Sequence, residues 1–172
     1  MCLYLKSLIR DVYDFPKEGI VFKDITTVLQ DPAGLRFAVD EFEKALKDVD
    51  FDLVVGPESR GFIFGVPLAY NMNKGFIPVR KEGKLPYKTK SKEYDLEYGS
   101  AVVEIHMDAI KPGDRVVVVD DLLATGGTSK AMVELIEEMG GIVVKMVYLI
   151  ELSFLKGREV LQGQDVEAII KY

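Results

Sequence analysis

The sequence predicts an α/β fold with a mainly parallel central sheet flanked by helices. Three observations carry that expectation. Short β-branched or apolar runs, Phe51–Val55, Val116–Val119 and Ile142–Ile150, suit strands buried on both faces. Segments with helical spacing alternate with them along the chain. Two of the strand ends run through a small-residue loop straight into a helix, the arrangement that places ligands at the carboxyl edge of an open sheet.

The elements follow in order. Leu3, Leu5, Leu8, Ile9 and Val12 have roughly helical spacing and predict a short amphipathic opening helix. Pro16 and Gly19 then mark a turn. Ile20–Ile25 is apolar but interrupted by charge, and reads as a strand or an extended segment. Asp31-Pro32-Ala33-Gly34 opens a helix whose apolar positions are Phe37, Val39, Phe42, Ala45 and Leu46. The strand Phe51–Val55 leads through Gly56-Pro57-Glu58-Ser59-Arg60-Gly61 into a helix from about Phe62 to Asn73. Gly75–Val79 is the next strand. Residues 80–99 form a polar, basic stretch without a clear period, longer than an ordinary connection. Such a run is usually a solvated face. Between two phosphate-type loops it reads as a mobile cover for an anionic substrate, and removal of Lys88–Tyr94 is expected to leave the protein folded. Ala101–Met107 is a strand, so the stretch would form an antiparallel finger. His106, the sole histidine, has no partner at metal-ligand spacing and is assigned a structural role. Lys111–Asp114 is a turn, Ser129–Met139 a helix closed by Gly140-Gly141, Ile142–Ile150 a strand, and Val166–Ile170 the last strand.

The chemistry is concentrated in Arg115–Thr128. Four valines end at Asp120 and Asp121, where the strand is expected to stop. Ala124-Thr125-Gly126-Gly127-Thr128 follows and opens a helix. Glycines let the backbone approach a ligand closely. Unpaired N–H groups at the positive end of a helix dipole favour phosphate. The two threonines add hydroxyl donors. Asp120 and Asp121 would repel phosphate, so their natural partners are vicinal ribose hydroxyls. The segment is neither a Gly-Lys-Ser/Thr loop nor a Gly-x-Gly-x-x-Gly turn. Together these residues predict a site for a phosphorylated sugar. Arg60 at the other helix start is a good diphosphate ligand, its bland alternative being a helix-surface charge.

Composition narrows the classes. The chain has 172 residues, 48% of them hydrophobic, and a net charge of −6. One domain with a substantial core is expected. The acidic balance argues against nucleic acid as a partner. No apolar run approaches bilayer length and no leader is evident, so no membrane role is expected. A single cysteine fits a cytoplasmic location.

Val117–Thr128 resembles the phosphoribosyl diphosphate (PRPP) signature of type I phosphoribosyltransferases. Its Leu122-Leu123-Ala124 variant is most similar to members that use adenine. Phe15–Ile25 resembles the family's base-binding hood, about residues 1–30. There the resemblance implies that Val21 reads the edge of adenine while Phe22 and Lys23 flank it. The family usually has Arg in place of Lys23. Glu58-Ser59-Arg60 resembles the diphosphate loop, with a cis peptide implied at Glu58–Ser59. Residues 80–100 would be the lid: the resemblance implies that Arg80 and Lys84 touch diphosphate, Arg80 that of a neighbouring subunit, that Glu97 swings over the base, and that Tyr98 makes a closure contact. Glu151–Arg158 is very similar to the family's C-terminal segment. The resemblance implies transfer of phosphoribosyl from PRPP to adenine N9, giving AMP and diphosphate. Asp120, Asp121, Arg60 and Glu97 would be catalytic, Ala124–Thr128 would hold the 5′-phosphate, and Mg²⁺ would be held mainly by PRPP with a water-mediated link to Asp120 or Asp121. A homodimer is implied. The alternatives are a transferase for hypoxanthine, guanine or xanthine, or a non-catalytic PRPP sensor.

Overall fold

The computed structural model describes residues 2–95 and 99–172. The chain divides into two compact units, Met1–Glu41 and Phe42–Tyr172.

The first unit opens with helix α1 (Cys2–Leu8). The helical spacing was expected to extend to Val12, but strand β1 (Arg10–Tyr13) begins there instead. In so short a window the two periods cannot be separated, and pairing decides. β1 runs antiparallel to β2 (Val21–Asp24), with Arg10 opposite Asp24 and Tyr13 opposite Val21. Cross-strand ion pairs, Arg10 with Asp24 and Lys23 with Asp11, sit on this ladder. The turn between the strands contains Pro16, and the Gly19 N–H donates to Asp14 Oδ1 at 2.7 Å. Helix α2 (Thr26–Gln30) is only five residues long, too short to leave a periodic signal in the sequence. Helix α3 (Pro32–Leu46) starts where Asp31 Oδ1 accepts the Gly34 N–H at 2.6 Å, as an N-terminal cap does.

The second unit contains β3 (Leu53–Pro57), α4 (Arg60–Asn71), β4 (Gly75–Lys81), β5 (Thr89–Asp95), β6 (Ser100–His106), β7 (Arg115–Leu123), α5 (Gly127–Glu138), β8 (Ile142–Glu151), α6 (Gly157–Val160) and β9 (Val166–Lys171). The sheet order is β5-β6-β4-β3-β7-β8-β9. The five strands from β4 to β9 in that order are parallel, while β6 is antiparallel to both β4 and β5. Val116 and Val118 pack with Met132, Leu135 and Ile136 of α5 in one apolar cluster. Val117 and Val119 point the opposite way by strand alternation and are equally buried. The valine run is therefore covered on both faces, the reason it lacks polar alternation.

Two expectations need correction. β7 does not stop before the carboxylates. It continues through Asp120 and Asp121, and Leu123 still pairs with Glu151 of β8. Backbone pairing to a long neighbour carries the strand on, whatever the side chains. The polar stretch after β4 is antiparallel as expected, with β6 pairing with both β4 and β5, but it is not one loop. Thr89–Asp95 is an edge strand, paired residue for residue with β6 from Thr89–His106 to Asp95–Ser100. Lys92 bridges to Glu134 and Glu138 of α5 at 2.8 and 3.0 Å. The strand reads as a loop because even its packed face carries charge: Lys90 and Lys92 lie toward the acidic residues of α5, while Ser91, Glu93 and Asp95 face solvent.

Candidate active site

Two turns at the carboxyl ends of β3 and β7 define the site. After β3 the Glu58–Ser59 peptide is cis, as the resemblance implied, and α4 starts at Arg60. No side chain caps this helix end. After β7 the chain turns at Gly126, whose φ of +86° is a left-handed conformation suited to glycine, and α5 starts at Gly127. This end also lacks a side-chain cap. Both helix starts thus offer backbone N–H groups to an anion. Gly61 lets the two turns meet: a Cβ there would lie 3.1 Å from Asp120 Oδ1 and 3.1 Å from the Val119 carbonyl oxygen.

A cavity of about 300 Å³ lies at this edge. Glu58, Ser59, Arg60, Arg80, Asp120, Asp121, Ala124 and Thr128 all line it. A smaller hollow of about 80 Å³ adjoins it, formed by Asp120, Leu122 and the run Ala124–Ser129. A third cavity, about 360 Å³, lies against Thr125 and Gly127 but also exposes Glu93, Asp95 and Glu134. Three carboxylates against the one ammonium of Lys130 make it a poor phosphate site, so the small hollow is the better one.

The acidic pair divides its work. Asp121 is 3% exposed and its Oδ2 lies 3.0 Å from Arg60 Nε. Asp120 is half-buried, and its Oδ1 accepts the Asp121 N–H at 2.8 Å. Burial pushes the Asp120 carboxyl well above the usual carboxylate range, and the neighbouring Asp121 charge adds to the rise. Burial also raises Asp121, with the Arg60 guanidinium opposing it.

Glu58 gathers the cations. Its Oε2 accepts from Arg80 Nε and Nη2 at 3.2 and 3.1 Å and from Lys84 Nζ at 3.3 Å. Its Oε1 accepts the Lys81 N–H at 2.6 Å. Burial opposes ionisation of Glu58, but the Lys81 N–H and the two cations outweigh it and hold the carboxyl below its ordinary range. Arg80 is therefore engaged within its own chain. Glu58 reaches the site as a carboxylate that orders Arg80 and Lys84, with its side chain turned to cations.

The base-binding candidates lie in the first unit. Val21 is 36% exposed, and Phe22 meets Phe15 edge-on with ring centres 5.3 Å apart. The Lys23 ammonium pairs with Asp11 at 2.6 Å, so its methylene stem is the part left to flank a ring. Glu97 and Tyr98 lie outside the described residues. His106 meets Tyr87 edge-on at 6.1 Å, and its buried Nε2 has no hydrogen-bond partner among the described residues.

Sequence reasoning passed over several supports of the site. Tyr94 lines the main cavity and packs beside Gly127. Its signal was an aromatic at alternate spacing in a polar strand. Beneath α5, the buried Tyr148 hydroxyl donates to Ser129 Oγ at 2.8 Å. Arg158 grips Glu151 through Nε and Nη2 at 2.8–2.9 Å. The Tyr148–Ser129 contact joins residues 19 apart and leaves no local pattern, and the resemblance of Glu151–Arg158 to the family's C-terminal segment did not disclose the ion pair within it.

No helix among the described residues is long and apolar enough to cross a membrane. Nor do three acidic, histidine or cysteine side chains converge there as a metal site. Asp120 and Asp121 both line the cavity, and a divalent cation arriving on substrate oxygens would favour their ionised forms and suit a water-mediated link to either.

Comparison with known proteins agrees with this geometry. The family model for the phosphoribosyl transferase domain matches residues 27–166. The adenine phosphoribosyltransferase of Ruminiclostridium cellulolyticum is 62% identical over 169 residues, covering 98% of this chain and 99% of that protein. That of Lachnoclostridium phytofermentans is 58% identical over 168 residues, covering 98% and 97%. The crystal structure of the adenine phosphoribosyltransferase from Thermoanaerobacter pseudethanolicus superposes with a TM-score of 0.98 at 52% identity, covering all of both chains. With the paired strand–turn–helix units, the acidic pair between them and this likeness over the whole length, the chain belongs to the phosphoribosyltransferase family, in its adenine phosphoribosyltransferase branch.

Proposed function

We propose that the protein transfers the 5-phosphoribosyl group of PRPP to N9 of adenine, releasing AMP and diphosphate. The observation that carries the reading is the convergence of two uncapped helix starts on one edge of the sheet, with Asp120 and Asp121 between them. Residues of both turns line one cavity, an arrangement that suits a sugar with an anionic group at each end. Ala124–Thr128 would hold the 5′-phosphate through backbone N–H groups and the Thr125 and Thr128 hydroxyls. Asp120 and Asp121 would accept from the ribose hydroxyls, and Asp121 also keeps Arg60 aimed at the diphosphate side.

In the reaction the C1–oxygen bond to diphosphate breaks and its electron pair leaves with the diphosphate. Adenine N9 forms the new bond from the opposite face of the ribose. Positive charge grows on the ring and negative charge on the leaving group. Arg60, Arg80, Lys84 and the N–H groups of the Ser59–Arg60 turn would stabilise the latter. The resemblance assigns Val21, Phe22 and Lys23 to adenine and Glu97 to the purine proton, with Tyr98 closing the site. Bound with PRPP, Mg²⁺ would neutralise diphosphate charge. A homodimer, with Arg80 at the neighbouring site, is part of the family reading. A cytoplasmic setting is proposed on the single cysteine.

The test is incubation with PRPP, Mg²⁺ and each purine in turn. AMP and diphosphate should form with adenine. Preferential nucleotide formation from hypoxanthine, guanine or xanthine would replace adenine as the substrate. Absence of any nucleotide would remove the assignment.

A further inference from the structure

The 5′-phosphate loop touches a segment more than thirty residues further along the chain, and the contact is reciprocal. A Cβ on Gly157 would lie 2.3 Å from the Ala124 carbonyl oxygen and 3.0 Å from Leu123 Cδ1. A Cβ on Gly126 would lie 2.7 Å from the Gly157 carbonyl oxygen and 3.2 Å from Val160 Cβ. Both obstacles include backbone atoms, which cannot swing aside as a side-chain tip can. Two glycines thus let two backbones lie closer than any other residue allows.

The second segment is itself held. Arg158, directly after Gly157, donates to both Glu151 oxygens and, through Nη1, to the Val166 carbonyl at 2.6 Å. Glu151 is 6% exposed and stands opposite Leu123 at the end of the β7–β8 ladder. The Leu152 N–H donates to the Leu123 carbonyl at 3.0 Å. One guanidinium therefore ties α6 to β8 and β9, and α6 backs the loop. Neither Gly157 nor Arg158 lines the main cavity or the small hollow beside it.

We propose that Gly157, with Arg158 and Glu151 as its anchor, is a positioning residue for the 5′-phosphate: α6 is the mould that fixes the path of Ala124–Gly127. This rests on the phosphoribosyl reading of the loop. An uncapped helix start binds phosphate well only when its N–H groups converge on one point. A loop free to relax would spread them, and misplacement by an ångström can cost about 100-fold in rate.

The experiment compares Gly157→Ala, Arg158→Lys and Arg158→Ala with the parent in steady-state kinetics and melting. AMP formation by the parent is measured first, so failure of the functional reading shows there and not in the variants. In Gly157→Ala the KM for PRPP should rise about tenfold or more, with the KM for adenine within about twofold. Arg158→Ala should raise the PRPP value, and Arg158→Lys should recover only part of it, because lysine cannot grip the carboxylate with two donors. If Gly157→Ala does not fold, the Arg158 pair carries the same comparison. Variants that melt lower while both KM values stay at the parent level would reduce α6 to ordinary packing. Equal rises in both KM values would have the same consequence.

Discussion

Asp121 is buried against a single partly exposed cation, and that imbalance governs what substitution does. Arg60→Ala leaves a carboxylate at 3% exposure without its 3.0 Å partner. Unpaired buried charge costs on the order of 3–5 kcal/mol. From the sequence alone, Arg60→Ala and Asp121→Asn were both expected to damage turnover far more than stability. The structure separates them. Arg60→Ala should lower both, and the stability loss should be greatest at high pH. Without the guanidinium, the folded pKa of Asp121 lies still further above its unfolded value. Its stabilising contribution is then present below the unfolded pKa and lost as pH rises through the folded one. Asp121→Asn leaves Arg60 able to reach solvent, so it should lose turnover and little stability. Melting curves of the two variants across pH check this, and equal losses would contradict it. Asp120 gives a complementary case. Its folded pKa is raised by burial first and the Asp121 charge second, so its ionised form costs stability at neutral pH. Asp120→Asn should therefore melt higher than the parent at neutral pH. The gain should shrink as pH falls toward the range where the unfolded carboxyl is protonated as well, and the variant should lose AMP formation at every pH. A lower melting temperature at neutral pH would contradict the burial argument.

At the scale of elements, β5 changes the meaning of the polar stretch. Seven consecutive residues pair with β6, and Lys90 and Lys92 reach Glu134 and Glu138 of α5. The ion pairs are partly exposed and contribute little singly, about 0–1 kcal/mol each. The ladder and the packing of Tyr94 beside Gly127 carry more. Deleting Lys88–Tyr94 should thus lower the melting temperature sharply or prevent folding, whereas Lys92→Ala alone should change it slightly. A deletion variant with the parent's melting curve would return the segment to the status of a dispensable loop. The same element shows what the sequence hid: alternate charged and small residues look solvated whether or not one face is packed.

For the whole molecule, the proposed reading makes the two strand–turn–helix units a frame for the two anionic ends of PRPP, and the metal is expected to enter with PRPP. Removal of divalent cations with a chelator should then abolish turnover while the melting temperature of the free protein stays unchanged. A fall in melting temperature would mean that the folded chain itself carries a structural metal. The frame also explains why fold and site were read together. The valine run, the small-residue loop and the glycine-ended helix are local signals, and the parallel sheet follows from their alternation.

The sequence by itself determined the α/β class, the two strand–turn–helix units and the loop Ala124–Thr128, because strand burial, glycine and helix starts act over a few consecutive residues. Only the tertiary structure decided that β7 continues through Asp120 and Asp121, that Glu58 faces Arg80 and Lys84, and that Gly157 backs Gly126. Those outcomes depend on which groups meet across the sheet edge. The distances that set charge pairing and close backbone contact arise only when remote segments fold together.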